Sequence, residues 1–178
     1  MRPVRKLYRV NYAQRGTALV MTLVILLLLT MLGITAINTS TLEERMAGNT
    51  KDQNLSFQAA ETALRAAETW VQSTTVATQL NTNNANGIYD RSTTAIDVWD
   101  SIDWSSANVV TYPGVPGAPA TTSSLNEVST KPKYIIEKAN IEPLSPGTRI
   151  TVRITARGTG ASNTTVSMVQ STYTVTYP

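Results

Sequence analysis

Histidine and cysteine are both missing from the 178 residues. Their absence excludes disulfides, thiolate nucleophiles, Cys/His zinc sites, Ser-His-Asp triads and histidine pH switches. Aromatic residues make up only 6% of the chain, with a single phenylalanine. No glycine-rich phosphate loop occurs, nor any pair of acids with a base to serve them, so the chain lacks the machinery of an enzyme and no cofactor is expected. Acidic residues are absent from the N-terminal tail, where Arg2, Arg5, Lys6, Arg9 and Arg15 stand. That tail accounts for the pI of about 9.3 and the net charge of +3; without residues 1–16, ten basic and twelve acidic residues leave −2. The positive charge therefore points to a membrane-adjacent tail, and no nucleic acid is expected as a partner.

Charge is also missing from Gly16 to Leu42. The core of this run, Ala18 to Ile37, is broken only by Thr22, Thr30, Gly33 and Thr35. As a helix its twenty residues span roughly 30 Å, the thickness of a bilayer's hydrocarbon core. Five positive charges before it and Glu43 and Glu44 after it orient the segment with its N-terminus in the cytoplasm and the remainder outside. The run exceeds the 7–15 residues of a secretory h-region, and Ala36-Ile37-Asn38-Thr39-Ser40 is a poor cleavage site, so the segment reads as retained.

Helical patterning continues beyond the run. Over residues 52–72, Leu55, Ala59, Ala60, Ala63, Leu64, Ala67, Trp70 and Val71 recur at three- and four-residue spacing, with Gln58, Glu61, Arg65, Glu68 and Gln72 opposite. This alanine-rich stripe requires a partner surface. Gly48 and Asn49 are poor helix formers and predict a kink or a short melted turn within Met46–Thr50. Residues 73–132 are polar and rich in Ser, Thr, Asn, Gly and Pro, with short elements expected near 98–104 and 108–112.

The last third alternates as strands do. Residues 133–142 end before Pro143. In 149–157, Ile150, Val152, Ile154 and Ala156 share one face and Arg149, Thr151, Arg153, Thr155 and Arg157 the other. Gly158 to Asn163 reads as a hairpin loop, followed by a strand over 166–177 with Val169, Tyr173, Val175 and Tyr177 on one face. An antiparallel sheet with one buried side, covered by the helical stripe, is expected: an α+β arrangement.

Gln14-Arg15-Gly16 followed by Thr17-Ala18-Leu19-Val20 resembles the leader junction of a type IV prepilin. Thr41-Leu42-Glu43-Glu44-Arg45-Met46-Ala47-Gly48-Asn49, then Asn54 to Glu61 and Ala63-Leu64-Arg65, are similar to the PilX class of minor pilins. Residues 149–158 and 169–173 are similar to the end of that family. The resemblance implies a type IV pilin-like fold and five segments: a leader over 1–16, a transmembrane helix half over 17–42, an amphipathic half over 43–72, a variable connection over 73–132 and a sheet over 133–178.

It further implies cleavage between Gly16 and Thr17, N-methylation of Thr17, and a minor subunit that primes pilus assembly at or near the filament tip. The partners so implied are other minor pilins, the major pilin, prepilin peptidase, the inner membrane and a tip adhesin. Twitching motility is among the tasks such pili serve. Most pilins carry a glutamate at the fifth mature position, to meet a neighbour's N-terminal amine; here that position is Met21, a departure shared with the K-class pseudopilin at the tip of type II secretion systems. Glu43, Glu44 and Arg45 read either as a polar collar or as partners for ion pairs between subunits. The alternative function is a bitopic inner-membrane adaptor that binds an envelope partner without polymerising.

Asp97, Asp100 and Asp103, with Asp90 nearby, are the carboxylates that come closest to a calcium set. Their spacing is not that of an EF-hand, and Asp also caps turns, so no metal is expected. Arg149, Arg153 and Arg157 could meet phosphates or another subunit, although solvated sheet faces carry such rows routinely.

Overall fold

A computed structural model describes residues 16–73, 86–91, 98–116, 125 and 127–177. The chain divides into two compact units, Met1–Ala47 and Gly48–Pro178. Its elements are helix α1 (Thr17–Val71), β1 (Ile88–Asp90), a single helical turn α2 (Val98–Ser101), β2 (Val110–Thr111), β3 (Lys133–Pro143), β4 (Thr148–Thr159) and β5 (Val166–Tyr177). The fold is α+β, a long N-terminal helix followed by a mostly antiparallel sheet against which residues of its later part pack.

Helix α1 passes through Met46–Thr50 without leaving helical conformation, so the expected melted turn is absent. A glycine in a helix costs only about 1 kcal/mol, and good helix formers such as Glu44, Arg45, Ala47 and Lys51 flank the pair.

In the second unit the strands run in the order β1-β3-β4-β5, with β2 also paired to β3. The β3–β4 pair is antiparallel from Lys133↔Arg157 to Pro143↔Thr148, with an irregularity between Lys138 and Asn140. The β4–β5 pair runs from Thr148↔Tyr177 to Thr159↔Val166. Strand β1 joins β3 in parallel, through Ile88↔Ile136 to Asp90↔Lys138. Between β3 and β4 the chain turns through Gly147, whose φ of 101° suits glycine, and its carbonyl accepts the Leu144 N–H at 2.9 Å.

The alanine stripe is buried as expected. Ala63, Leu64, Ala67 and Val71 of α1 form one core with Tyr134 and Ile136 of β3, Ile150, Val152, Ile154 and Ala156 of β4 and Tyr177 of β5. Small side chains let the helix backbone approach the sheet directly. A Cβ on Gly158 would collide with the Ser56 carbonyl and with the backbone of Ala59 and Ala60. Gly158 therefore belongs to β4 as a packing residue, and the loop read as starting there begins at Gly160.

Polar contacts fix the register of helix on sheet. The Ser56 and Ser167 hydroxyls meet at 2.6 Å, the Ser171 hydroxyl donates to Glu68 Oε1 at 2.7 Å, and the Tyr177 hydroxyl donates to the Val71 carbonyl at 2.7 Å. This last bond satisfies one of the carbonyls that a helix C-terminus leaves open. Burial pushes the Tyr177 phenol above its ordinary pKa, so it stays a donor.

Asp52 ties the helix to the β4–β5 loop, with Oδ1 accepting N–H groups of Ala161 at 2.6 Å and Ser162 at 3.3 Å. The Thr165 hydroxyl, and then the amides of Ser162 and Ala161, hold this carboxyl below its ordinary pKa of 3.8 against the opposing effect of burial. A depressed carboxyl stabilises the fold above its unfolded pKa, and that stabilisation is lost as pH falls through the folded value. Asp52→Asn is accordingly expected to be less stable than wild type at neutral pH. The gap should close on acidification below pH 3.8, as denaturant titrations at several pH values would read; a gap independent of pH would contradict the assignment.

The expectation of one buried side is corrected. Strand β3 is buried on both faces from Tyr134 to Lys138. Its second face, at Ile135, packs with Val98 and Val109 and with the half-buried Tyr89, Trp99, Ile102 and Trp104. The described parts of the connection thus add β1 and β2 to the sheet and cover its second face with α2 and the turns after it, rather than forming a bare linker. Paired charges concealed this covering in the sequence, because Glu137 and Lys138 in a strand ordinarily signal a solvated face.

Candidate functional site

The described residues of the first unit form one exposed helix after Gly16. Thr17 is its first residue, with Gly16 immediately before it in a turn, and every residue from Gly16 to Ala47 is solvent-facing in the isolated chain. Large apolar side chains from Leu19 to Leu42 are exposed and bury nothing among the described residues; Met21 is 69% exposed. Such a surface requires lipid or other helices around it. Among the described residues this is the one helix long and apolar enough to cross a membrane.

Its polar interruptions do not oppose that placement. The hydroxyls of Thr22, Thr30 and Thr35 donate to the carbonyls of Leu19, Leu27 and Met31 at 2.9, 2.8 and 2.9 Å. Each polar side chain is thereby satisfied within the helix, as hydrocarbon surroundings demand. The first turn holds no acid. Glu43, Glu44 and Arg45 lie about seven turns further along, all exposed and all helical.

The second unit carries polar anchors that hold the middle region against β3. Glu137 is completely buried and accepts three hydrogen bonds from described residues: from Arg153 Nε to Oε2 at 2.9 Å, from Arg153 Nη2 to Oε1 at 3.0 Å, and from the Val98 N–H to Oε1 at 2.9 Å. Lys138 Nζ lies 3.3 Å from Asp90 Oδ2, and Lys133 Nζ donates to the Trp104 carbonyl at 2.6 Å. The Tyr134 hydroxyl donates to the Gly114 carbonyl at 3.1 Å, and burial holds its phenol far above the ordinary range.

The acidic residues are not brought together. Asp97 lies outside the described residues, Asp100 is exposed on α2, and Asp90 faces Lys138. Asp103 Oδ1 accepts the Ser105 N–H at 2.8 Å and its hydroxyl at 2.7 Å, an Asx-type turn. Those bonds, led by the hydroxyl, hold the Asp103 carboxyl below its ordinary pKa. Among the described residues no three acids stand together as a metal site would need.

The arginine row is also divided. Arg153 is engaged by Glu137 in the fold itself, Arg149 Nη1 lies 3.4 Å from Glu142 Oε2 in an exposed pair, and Arg157 is half-buried. Tyr173 and Val175 pack at the rim of the core and Tyr177 within it. The residues that sequence reading missed are Ser56, Gly158 and Glu137. The nearest signal was their spacing: Ser56 sits in the alanine stripe, and Glu137 sits opposite Arg153 once the strands are aligned.

An apolar, uncovered N-terminal helix whose later residues pack on a mostly antiparallel sheet is the architecture of a type IV pilin. A family model described as PilX N-terminal matches residues 15–65, and one described as type IV pilus assembly protein PilX C-term matches residues 45–175. The chain belongs to the PilX family of type IV pilus assembly proteins. No curated protein and no solved structure matches it.

Proposed function

We propose that this chain is a minor, non-catalytic subunit of a type IV pilus that primes filament assembly and stands at or near the tip. The observation that carries the reading is the first turn of α1. It is exposed and holds no acid, with Met21 at the position where most pilins carry a glutamate to meet a neighbour's N-terminal amine. A subunit without that carboxylate offers no such pairing to a neighbour already in place, which suits the end of a filament.

In this account prepilin peptidase cuts between Gly16 and Thr17, and Thr17 is then N-methylated. The helical start at Thr17 supports this, since the cut frees the first helical residue. The basic tail lies in the cytoplasm, and the second unit lies in the periplasm and then on the cell surface. The partners are other minor pilins, the major pilin and a tip adhesin. Glu43, Glu44 and Arg45 pair with neighbouring subunits; exposed pairs contribute only about 0–1 kcal/mol each, so they set register more than strength.

Cells lacking this chain are expected to show few surface pili, restored by the wild-type gene. In those cells Met21→Glu is expected to impair priming or to spread the subunit along the filament, as pilus counts and immunogold labelling would read. Unchanged counts with unchanged position would overturn the tip assignment.

A further inference from the structure

Strand β5 has a partner on one side only: β4 covers its inner edge, and among the described residues no strand pairs with its outer edge. At about 3.3 Å per residue its twelve residues present roughly 40 Å of backbone donors and acceptors. Folded proteins normally blunt such an edge with lysine, proline, a bulge or a covering segment. Val-Ser-Met-Val-Gln-Ser-Thr-Tyr-Thr-Val-Thr-Tyr contains no charge, no proline and no glycine, and its pairing to β4 is unbroken by any bulge. The opposite margin of the sheet is treated differently, because β1 and β2 both pair along β3 there. The outward row of β5, from Val166 and Met168 through Gln170, Thr172, Thr174 and Thr176, is exposed throughout.

We infer that the free edge of β5 is a strand-addition site for an extended segment of another pilus-assembly protein. Main-chain hydrogen bonds supply the attraction and the flanking side chains the selectivity. The charge beside the edge defines the occupant. On the same outward face, in register with Met168, stands Arg157, which has no carboxylate partner among the described residues, whereas Arg153 and Arg149 are paired within the chain. A strand added to β5 lies about 9.6 Å from β4, a gap that an arginine and an acidic side chain span together. The incoming strand therefore carries an acid where it passes Arg157. A second copy of this chain offers no acid along its own β5, which favours a different protein as occupant.

This inference rests on the chain's place in pilus assembly and does not depend on tip position. The cysteine-free sequence makes the test direct. Single variants Met168→Cys, Gln170→Cys, Thr172→Cys and Thr174→Cys, labelled with a benzophenone maleimide in pilus-producing cells, are photolysed and the adducts sequenced by mass spectrometry. The expected result is one partner protein whose crosslinked residue advances by two for every two residues along β5. Thr172→Lys/Thr174→Lys, and separately Arg157→Glu, placed in the Gln170→Cys background, should lower the adduct by about tenfold, while Thr172→Val in that background leaves it unchanged.

Adducts to a second copy, adducts within the same chain, adducts without register, or none at all would each overturn the proposal. Leu26→Cys on the exposed apolar helix serves as the control. Crosslinks from Leu26 to pilus subunits, with none from β5, would sink strand addition and leave the assembly role standing.

Discussion

Gly158→Val is expected to destabilise the second unit by about 3 kcal/mol, the upper range for forcing atoms into a filled interior. The cause is specific. The helix backbone at Ser56, Ala59 and Ala60 occupies the place of any Cβ at this position, and backbone has no rotamer by which to move aside. Relief requires α1 to lift from β4. That would open the core at Ala63 and Ala156 and break the Ser56–Ser167 contact. Urea unfolding of the detergent-solubilised full chain, followed by tryptophan fluorescence, reads the loss as a lower midpoint. A change below about 0.5 kcal/mol, the range of an ordinary surface substitution, would mean that the helix does not rest on this strand. Gly48→Ala is the natural contrast. Nothing lies within 4 Å of a Cβ there, so the gain in helix propensity should stabilise by about 0.8–1 kcal/mol.

Arg153→Ala is expected to cost about 3–5 kcal/mol, because among the described residues it leaves the buried Glu137 carboxylate with the Val98 N–H alone as partner. Removing both charges together, in Glu137→Leu/Arg153→Met, should cost less than Arg153→Ala alone, since no uncompensated charge then remains. The double variant still deprives the Val98 N–H of its acceptor, so some loss persists. Trp99 and Trp104 sit in the layer that this ion pair holds in place, and their near-ultraviolet dichroism should weaken in Arg153→Ala before the main unfolding transition. An equal loss in the single and double variants would show that the pair's charge is not what anchors the layer.

The boundaries of β4 and β5 were readable because alternation between apolar and polar residues is strict wherever one face is buried, and β3 was bounded by Pro143. The expected spans 133–142, 149–157 and 166–177 correspond to β3, β4 and β5 within two residues at each end. The alanine stripe of 52–72 was likewise readable, since a run of small residues at helical spacing marks a face that packs closely. The middle region was readable only in part: short elements were expected near 98–104 and 108–112, where α2 and β2 stand, but their attachment to β3 was not. Elements β1, α2 and β2 have three, four and two residues, too few to establish any period, and contacts with β3 hold them in place. Glu137 and Lys138 misled in the same way: each is buried, and each is compensated by a partner distant in sequence.

Gly158 was misjudged because glycine marks turns far more often than close helix–strand approach. The apolar run, by contrast, needed no tertiary information. A twenty-residue apolar stretch of helix that buries nothing among the described residues announces an external environment, and a pilus assembly protein meets other pilus components there.

The proposed role in pilus assembly turns on one chemical event, release of the leader at Gly16–Thr17. The protein extracted from membranes of pilus-producing cells, analysed by N-terminal peptide mass spectrometry with and without prepilin peptidase, tests it most directly. Processing by the peptidase predicts a mature chain beginning at N-methylated Thr17, and an unprocessed, unmethylated chain when the peptidase is absent. An N-terminus upstream of Gly16 in both strains would contradict the account and leave a membrane-anchored domain that binds an envelope partner without polymerising.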